Sequence, residues 1–536
     1  MTAAGGRRPG FFVRHASHIV AFVLGTVAVI GYAPFYMYPL PLVTLTGLIY
    51  LWSQATGPRT AAGIGFSYGL GLFLCGVSWI YVSLHDFGMM PMPVAVAVTL
   101  LFCAFLALFP AAVGYACARA NFPPALRWGM LAPALWMLAE WIRGWIFTGF
   151  PWLALGYSQV PDGPLSGYAP LLGIHGVTLA AAATAGLLVV FARVGWRDEG
   201  GGQRAEGEAD KKTSRSSSLI PHPSSLAPAA VLLVLWAGGW GLKWIEWTEP
   251  VGAPVSVSLL QGNVEQDMKW RRERVEPTLE AYFTLARAST SPLIVLPETA
   301  LPLFLDQVPR DYLDALAAQA RKNGGDILIG VPERLSGGEY YNSLISFGTA
   351  PTQTYRKSHL VPFGEFIPLR PLLAGIVGAL AIPLQDFSRG TEDQRPLALA
   401  GQRVAINICY EDAFGEEIIR QLPEATLLIN VSNVAWFGRS LAPRQHLQIS
   451  QARAMETGRY MLRATNPGVT GAIAPDGMVV AAAPEFSMVA ITHPVQGYTG
   501  ATPYVRWGNY PALVLAFALL VIADRVSRRR AARSAS

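Results

Sequence analysis

The first 246 residues are dominated by apolar runs of membrane-crossing length, and this limits what the chain can fold into more than any other feature. Such runs lie near 15–34, 38–54, 62–84, 91–116, 127–147, 168–193 and 226–246, with one more near 508–524; a spanning helix needs roughly 20 mostly apolar residues. Charged residues make up 14% of the chain and hydrophobic ones 52%, which excludes a wholly water-soluble protein, a disordered chain and a coiled coil. The first run follows Arg7, Arg8 and Arg14 as in a secretory signal. No small-residue cleavage site follows it and further runs come at once, so it reads as a retained helix.

The net charge of +6 sits in short connections and tails, a distribution that fits membrane orientation and speaks against nucleic-acid binding. Arg7, Arg8 and Arg14, then Arg59, then Arg119 and Arg127, then Arg193 to Arg215 mark the N-terminal tail and alternate loops, whereas the loop around His85 and Asp86 has no Lys or Arg. Arg525, Arg528, Arg529, Arg530 and Arg533 mark the C-terminal tail. Cytoplasmic loops are enriched in such cations, so the expectation is eight spans with both termini cytoplasmic and residues 247–507 on the other side. Residues 197–225, rich in Gly, Ser and charge, read as a flexible cytoplasmic linker inside a seven-helix region 1–246. Glu140 and Arg143 read as a structural ion pair near the interface, and Trp136, Trp141, Trp145 and Trp152 as an interfacial belt.

From about 250 to 500 short β-rich runs alternate with amphipathic stretches. Strands are expected at 254–260, 292–297, 326–332, 342–347, 403–409 and 426–432, and helices at 272–288, 310–323, 414–422 and 443–462, which together imply a layered α/β domain. Residues 508–536 then form the last span and a basic tail. Cys75, Cys103 and Cys117 lie in apolar runs, while Cys409 stands alone in the polar half, so no disulfide framework or zinc pattern arises. Only His359, His446 and His493 share that half, and no motif implies a metal or cofactor.

Within this domain Glu298 closes the run LIVLPE, where a carboxylate past a buried strand is either a general base or a loop acid paired with an Arg. Cys409 closes VAINIC before Tyr410, Glu411 and Asp412; a strand-to-helix turn favours a reactive thiolate, although free cysteines also serve as small buried hydrophobes. Lys357, one of only six lysines among 41 basic residues, is either an oxyanion-stabilising ammonium or a solvated surface charge. Glu365 either orients Lys357 or completes the acid/base set, with a loop carboxylate capping backbone groups as the alternative.

Glu, Lys and Cys in this order on an α/β chain resemble the nitrilase superfamily. With the spans around them they resemble its membrane-embedded branch, the apolipoprotein N-acyltransferase family. The motifs that carry the resemblance are EWIRGWIFTGFPWLALGYSQ at 140–159, QGN at 261–263 with KW at 269–270, LPETA at 296–300, KSHLVPFGEFIPLR at 357–370, ICYED at 408–412, NVSN at 430–433, AWFG at 435–438 and the run from Pro443 to Ile473. The resemblance implies an αββα sandwich, Glu298 as general base, Lys357 as oxyanion stabiliser and Cys409 as nucleophile. It also implies Glu365 and Glu411 as supporting acids, and Trp270 and Tyr410 as aromatics near the site. Val434 stands where the family usually has an acid.

The implied activity is transfer of an acyl chain from a phospholipid, through a cysteine thioester, to the α-amine of a diacylglyceryl apolipoprotein in the bacterial inner membrane, with the catalytic domain periplasmic. Neither a cofactor nor a metal is implied. Residues 371–384 and the pair Trp436 and Phe437 are then candidates for lipid contact, with burial in the core as the alternative. A membrane-anchored carbon-nitrogen hydrolase (amidase or nitrilase) using the same three residues is the competing enzyme reading. A transporter is disfavoured because no internal repeat is found.

Overall fold

The computed structural model describes residues 11–201, 223–266, 271–367 and 387–535. Helices stand at each of the eight apolar windows: α1 (Phe11–Ala28), α2 (Pro39–Gln54), α3 (Pro58–Gly76), α4 (Met92–Arg119), α5 (Ala132–Arg143), α6 (Ala169–Gly201), α7 (Pro223–Leu242) and, at the other end of the chain, a helix over Tyr510–Ala535. Three stretches among the described residues, Met92–Arg119, Pro164–Arg193 and Tyr510–Arg533, are long and apolar enough to cross a membrane. A fourth results if the bent pair Pro58–Gly76 and Ile80–Phe87 counts as one span. Of the others, α2 has 16 residues and α5 has 12; 16 residues reach about 24 Å at 1.5 Å per residue against a hydrocarbon core of about 30 Å. Close crossings rely on small residues. A Cβ on Gly71 would lie 2.1 Å from the Phe22 carbonyl oxygen, so α1 and α3 meet backbone to backbone.

Between α5 and α6 the chain runs through short 3-10 turns instead of continuing as helix, and the polar residues of α5 serve this segment. Arg143 Nη1 donates to the carbonyls of Phe150 (2.7 Å) and Trp152 (2.6 Å). Glu140 accepts from the Leu155 N–H (2.9 Å), Thr178 Oγ1 (2.9 Å) and Trp136 Nε1 (2.9 Å). The expected interfacial ion pair is therefore replaced by two charges that each hold irregular backbone, the part of a buried segment most in need of partners. The expected tryptophan belt is likewise corrected: Trp136 and Trp152 are buried, and only Trp145 is largely exposed.

The second half forms two six-stranded sheets, ordered β12-β1-β2-β3-β4-β5 and β11-β10-β9-β8-β7-β6. Their inner strands are β1 (Glu249–Gln261), β2 (Leu293–Val295), β3 (Asp326–Arg334), β7 (Gln402–Ile408), β8 (Leu427–Ser432) and β9 (Met461–Thr465), with β1, β2, β3 and β7, β8, β9 each running parallel. Antiparallel strands complete each sheet: β4 (Tyr340–Gly348), β5 (Thr354–Arg356) and β12 (Val489–Thr499) in the first, β6 (Leu397–Leu399), β10 (Gly471–Ile473) and β11 (Val479–Ala482) in the second. Strands buried on both faces need apolar residues throughout. Accordingly Val257, Leu259, Val295, Ile406, Ile408 and Ile429 fill the space between the sheets. Alternate residues face outward: Ile294 and Ile327 pack on Tyr282 of α8 (Arg272–Ala288) and Leu316 of α9 (Arg310–Lys322), and Ala405 and Leu428 pack on Leu447 of α10 (Ala442–Thr457). This is the layered sandwich the resemblance implies.

Two sequence expectations differ here. The helix expected at 443–462 stops at Thr457, because Gly458 takes a left-handed φ of 63° and caps it, and Met461–Thr465 becomes a strand. The helix expected at 414–422 is a four-residue turn, Gly415–Ile418, followed by a 3-10 turn. Helix α10 is buried along its length except at Arg444 and joins the two halves. Gln445 Oε1 accepts from Trp79 Nε1 (3.1 Å) and Trp152 Nε1 (2.8 Å). Gln448 accepts from the Ala33 N–H (3.0 Å) and donates to the Val160 carbonyl (2.9 Å), and Gln451 accepts from the Tyr36 hydroxyl (2.9 Å).

Candidate active site

Parallel strands deliver their loops to one edge, and the carboxyl ends of β2 and β7 bring Glu298 and Cys409 to the same end of the sandwich. Cys409 directly follows β7 and opens a 3-10 turn, Cys409–Ala413, with a left-handed φ of 54°. Residues with a Cβ rarely adopt this conformation without being held there. Glu298 lies three residues past β2 and is 7% exposed. Its Oε1 accepts from Asn342 Nδ2 (2.7 Å) and faces Lys357 Nζ at 3.4 Å, while Oε2 accepts from the Asn433 N–H (2.7 Å).

Lys357 follows β5 and is 1% exposed, so a solvated surface charge is excluded. Its Nζ donates to Glu365 Oε1 (2.9 Å), and Asn342 Nδ2 also donates to that oxygen (3.1 Å). Glu365 Oε2 meanwhile accepts from the Val361 N–H (2.8 Å). Two of the roles weighed for Glu365 thus coexist: it orients the lysine and ties its own loop. Burial by itself would lower the Lys357 ammonium, but the Glu365 and Glu298 carboxylates outweigh it and hold the group above its ordinary value. Burial first, and Glu298 second, push the Cys409 thiol above its ordinary value, with Lys357 pulling the other way. The thiol therefore holds its proton until a base takes it.

Glu411 is buried as well. It accepts from the N–H groups of Ile408 (2.6 Å), Ser358 (2.7 Å) and His359 (3.0 Å) and from the Tyr355 hydroxyl (3.0 Å). Burial raises its carboxyl against these bonds. These bonds clip the Lys357 segment to the Cys409 turn. Tyr410 donates through its hydroxyl to the Gly149 carbonyl (2.8 Å) and stacks on Trp152, so it reaches into the helical half. Phe437 packs edge-on against Trp79, whereas Trp436 is 41% exposed and accepts at its carbonyl from Ser83 Oγ (2.7 Å). Val434 is buried, a setting suited to an apolar side chain. Trp270 and residues 371–384 lie outside the described residues.

Sequence reasoning missed the neutral and paired groups around these residues. Asn342 and Asn433 orient Glu298, and behind Cys409 a second cluster joins Asp412, His446, Ser450 and Arg463. His446 Nε2 lies 2.6 Å from Asp412 Oδ1, Arg463 Nη1 donates to Asp412 Oδ2 (2.9 Å), and Ser450 Oγ bonds the same oxygen. Burial opposes the charge on Asp412, yet His446 and Arg463 hold its carboxyl below the ordinary value. Burial also lowers His446, outweighing the opposing pull of the Asp412 carboxylate. The motifs ICYED and NVSN contained part of this signal; the partners from α10 and β9 could not be assigned before the fold was known.

Residues 24–187 match the family described as apolipoprotein N-acyltransferase N-terminal domain, and residues 256–504 match carbon-nitrogen hydrolase. The apolipoprotein N-acyltransferase of Nitrosomonas europaea is 52% identical over 94% of this chain and 95% of its own length. That of Chromobacterium violaceum is 43% identical over 96% of this chain and 94% of its own. Among solved structures, the chain is similar to the C. elegans NitFhit protein at 17% identity and a TM-score of 0.35, over 52% of this chain and 66% of that one. With relatives of this identity along nearly its whole length, the chain belongs to the apolipoprotein N-acyltransferase family.

Proposed function

We propose that the protein transfers an acyl chain from a phospholipid to the α-amine of a diacylglyceryl apolipoprotein, with Glu298, Lys357 and Cys409 carrying the chemistry. One observation carries this assignment: a buried Glu298–Lys357 pair, 3.4 Å apart, whose two charges both act on the Cys409 thiol. Glu298 takes the thiol proton, and the thiolate attacks the ester carbonyl carbon, forming a C–S bond. The Lys357 ammonium faces the oxyanion, and its raised affinity for protons keeps it charged. On collapse the C–O bond breaks, Glu298 returns the proton to the leaving oxygen, and a lysophospholipid departs. The apolipoprotein amine then attacks the thioester carbon and loses a proton to Glu298. The C–S bond breaks, the amide forms, and the proton returns to sulfur.

On this reading the protein is a multi-pass protein of the bacterial inner membrane. Eight spans are supported by the eight apolar windows and their helices, with termini cytoplasmic and residues 247–507 periplasmic on the strength of the alternating Lys and Arg content of the loops. Residues 1–246 form the membrane unit and 508–536 the last span and tail. The partly exposed Trp436 and the Phe437–Trp79 contact at the seam of the two halves suit a lipid-facing rim. The carbon-nitrogen hydrolase alternative is not favoured, since the relatives that match over the full length are acyltransferases by name.

Incubation with labelled phospholipid tests the assignment. Hydroxylamine-sensitive acyl label is expected on the wild type and absent from Cys409→Ser and Glu298→Ala; label retained on both variants removes these residues from the mechanism.

A further inference from the structure

The left-handed turn at Cys409 is held from behind by two donors. Asn430 Nδ2 donates to the Cys409 carbonyl oxygen at 3.0 Å, and His446 Nε2 approaches it at 3.2 Å. A carbonyl and a carboxylate can only accept, so the nitrogen that faces both Cys409 O and Asp412 Oδ1 must carry the proton. His446 is thereby fixed as the Nε2–H form, and Asp412 is itself fixed by Arg463. Asn430 belongs to a polar row on the α10 side of the second sheet, where Asn407, Asn430 and Arg463 stand opposite one another in register across β7, β8 and β9.

The C=O and N–H of one trans peptide unit point in opposite directions. Drawing the Cys409 carbonyl toward α10 therefore turns the Tyr410 N–H away from it, toward the gap between the sheets at whose end Glu298 and Lys357 sit. That N–H lies in the first turn of a short helix, where donors have no partner within the turn.

We propose that His446 is a positioning residue for the nucleophile: with Asn430 it fixes the Cys409–Tyr410 peptide so that the Tyr410 N–H, together with the Lys357 ammonium, donates to the oxyanion formed at the acyl carbon. His446 neither gains nor loses a proton in this role. The proposal rests on the acyl-transfer reading above and adds to it the groups that aim its second oxyanion donor.

Two rates measured at Cys409 in the purified full chain test it. Acyl-enzyme formation from labelled phospholipid passes through an oxyanion; alkylation by iodoacetamide, followed on the Cys409 peptide by mass, does not. His446→Ala is expected to slow acylation roughly 10²- to 10³-fold, the loss typical of one oxyanion donor, while alkylation stays within about threefold. His446→Gln, which keeps an amide donor for the same oxygen, is expected to recover most of the acylation rate. Unchanged acylation in His446→Ala, or acylation and alkylation falling together, overturns the proposal. If His446→Ala loses its cooperative melting transition, Asn430→Ser removes the other donor to that oxygen and is judged by the same two rates. A wild type that alkylates at Cys409 but never forms an acyl-enzyme overturns the acyl-transfer reading itself, and this proposal with it.

Discussion

On one side of Cys409 two carboxylates, Glu298 and Glu365, share the single ammonium of Lys357; on the other, the Asp412 carboxylate is matched by Arg463 and completed by His446 and Ser450. Both clusters are buried, and both exclude water well enough for charge to matter. They differ in balance. The first carries one carboxylate more than it can neutralise, so accepting a proton relieves repulsion there. The second is neutral and bonded on each oxygen of Asp412, so a proton would only break bonds already made. On the mechanism proposed above, a proton-transfer site and a fixed footing are thus built from the same residue types, and the surplus or match of charge decides which results.

The largest test of this contrast is Glu298→Gln, which removes the surplus. Acyl-enzyme formation should fall about 10²- to 10⁴-fold, the range for loss of a general base, while the thermal midpoint stays level or rises. The same variant should also let Cys409 alkylate at lower pH. Burial and the Glu298 charge both raise the thiol, so removing that charge favours the thiolate, and the alkylation profile must move down the pH scale. A profile that stays put would separate Glu298 from the thiol.

Arg463→Met should act in the opposite sense, because it strands the Asp412 carboxylate. A loss of about 3–5 kcal/mol in denaturant unfolding is expected, as for other buried pairs that lose one partner. If Glu298→Gln destabilised the protein equally, the distinction between the clusters would collapse. The smallest effect belongs to Gln445→Leu, which takes the acceptor from Trp152 Nε1, while Trp79 Nε1 keeps the Gly76 carbonyl at 3.0 Å. A cost of about 1–3 kcal/mol follows from one unpaired buried donor, with acyl-enzyme formation on surviving folded protein close to that of the wild type.

These two clusters also differ in how far the sequence revealed them. Glu298 and Cys409 were legible because each follows an apolar strand, where a polar residue stands out against its neighbours, and Lys357 because lysine is scarce in this chain. Asp412, His446 and Arg463 were not, since their partners come from a turn, a helix and a strand separated by up to 51 positions. Helix α10 hid them further: buried at every position but Arg444, it carries polar residues all round and shows no amphipathic stripe. Its overrun to 462 came from ignoring Gly458 as a cap. Strands of three residues, such as Thr354–Arg356 and Gly471–Ile473, are too short for an alternating pattern to register. In the helical half the windows were legible and the lengths were not, because kinks and 3-10 turns consume residues that composition counts as span.

The glutamines of α10 have one further consequence, which is a dimension. Gln445, Gln448 and Gln451 bond backbone and side chains of the helical half on the same helix whose His446 touches the Cys409 carbonyl. The height of the sulfur above the helices is therefore set by one rigid element of the protein. Lipids differ mainly in the length of their tails, which extend away from that level, whereas their ester linkages share a common depth. On the acyl-transfer mechanism proposed above, a thiol mounted at a fixed height would gauge the linkage and leave the tail unmeasured.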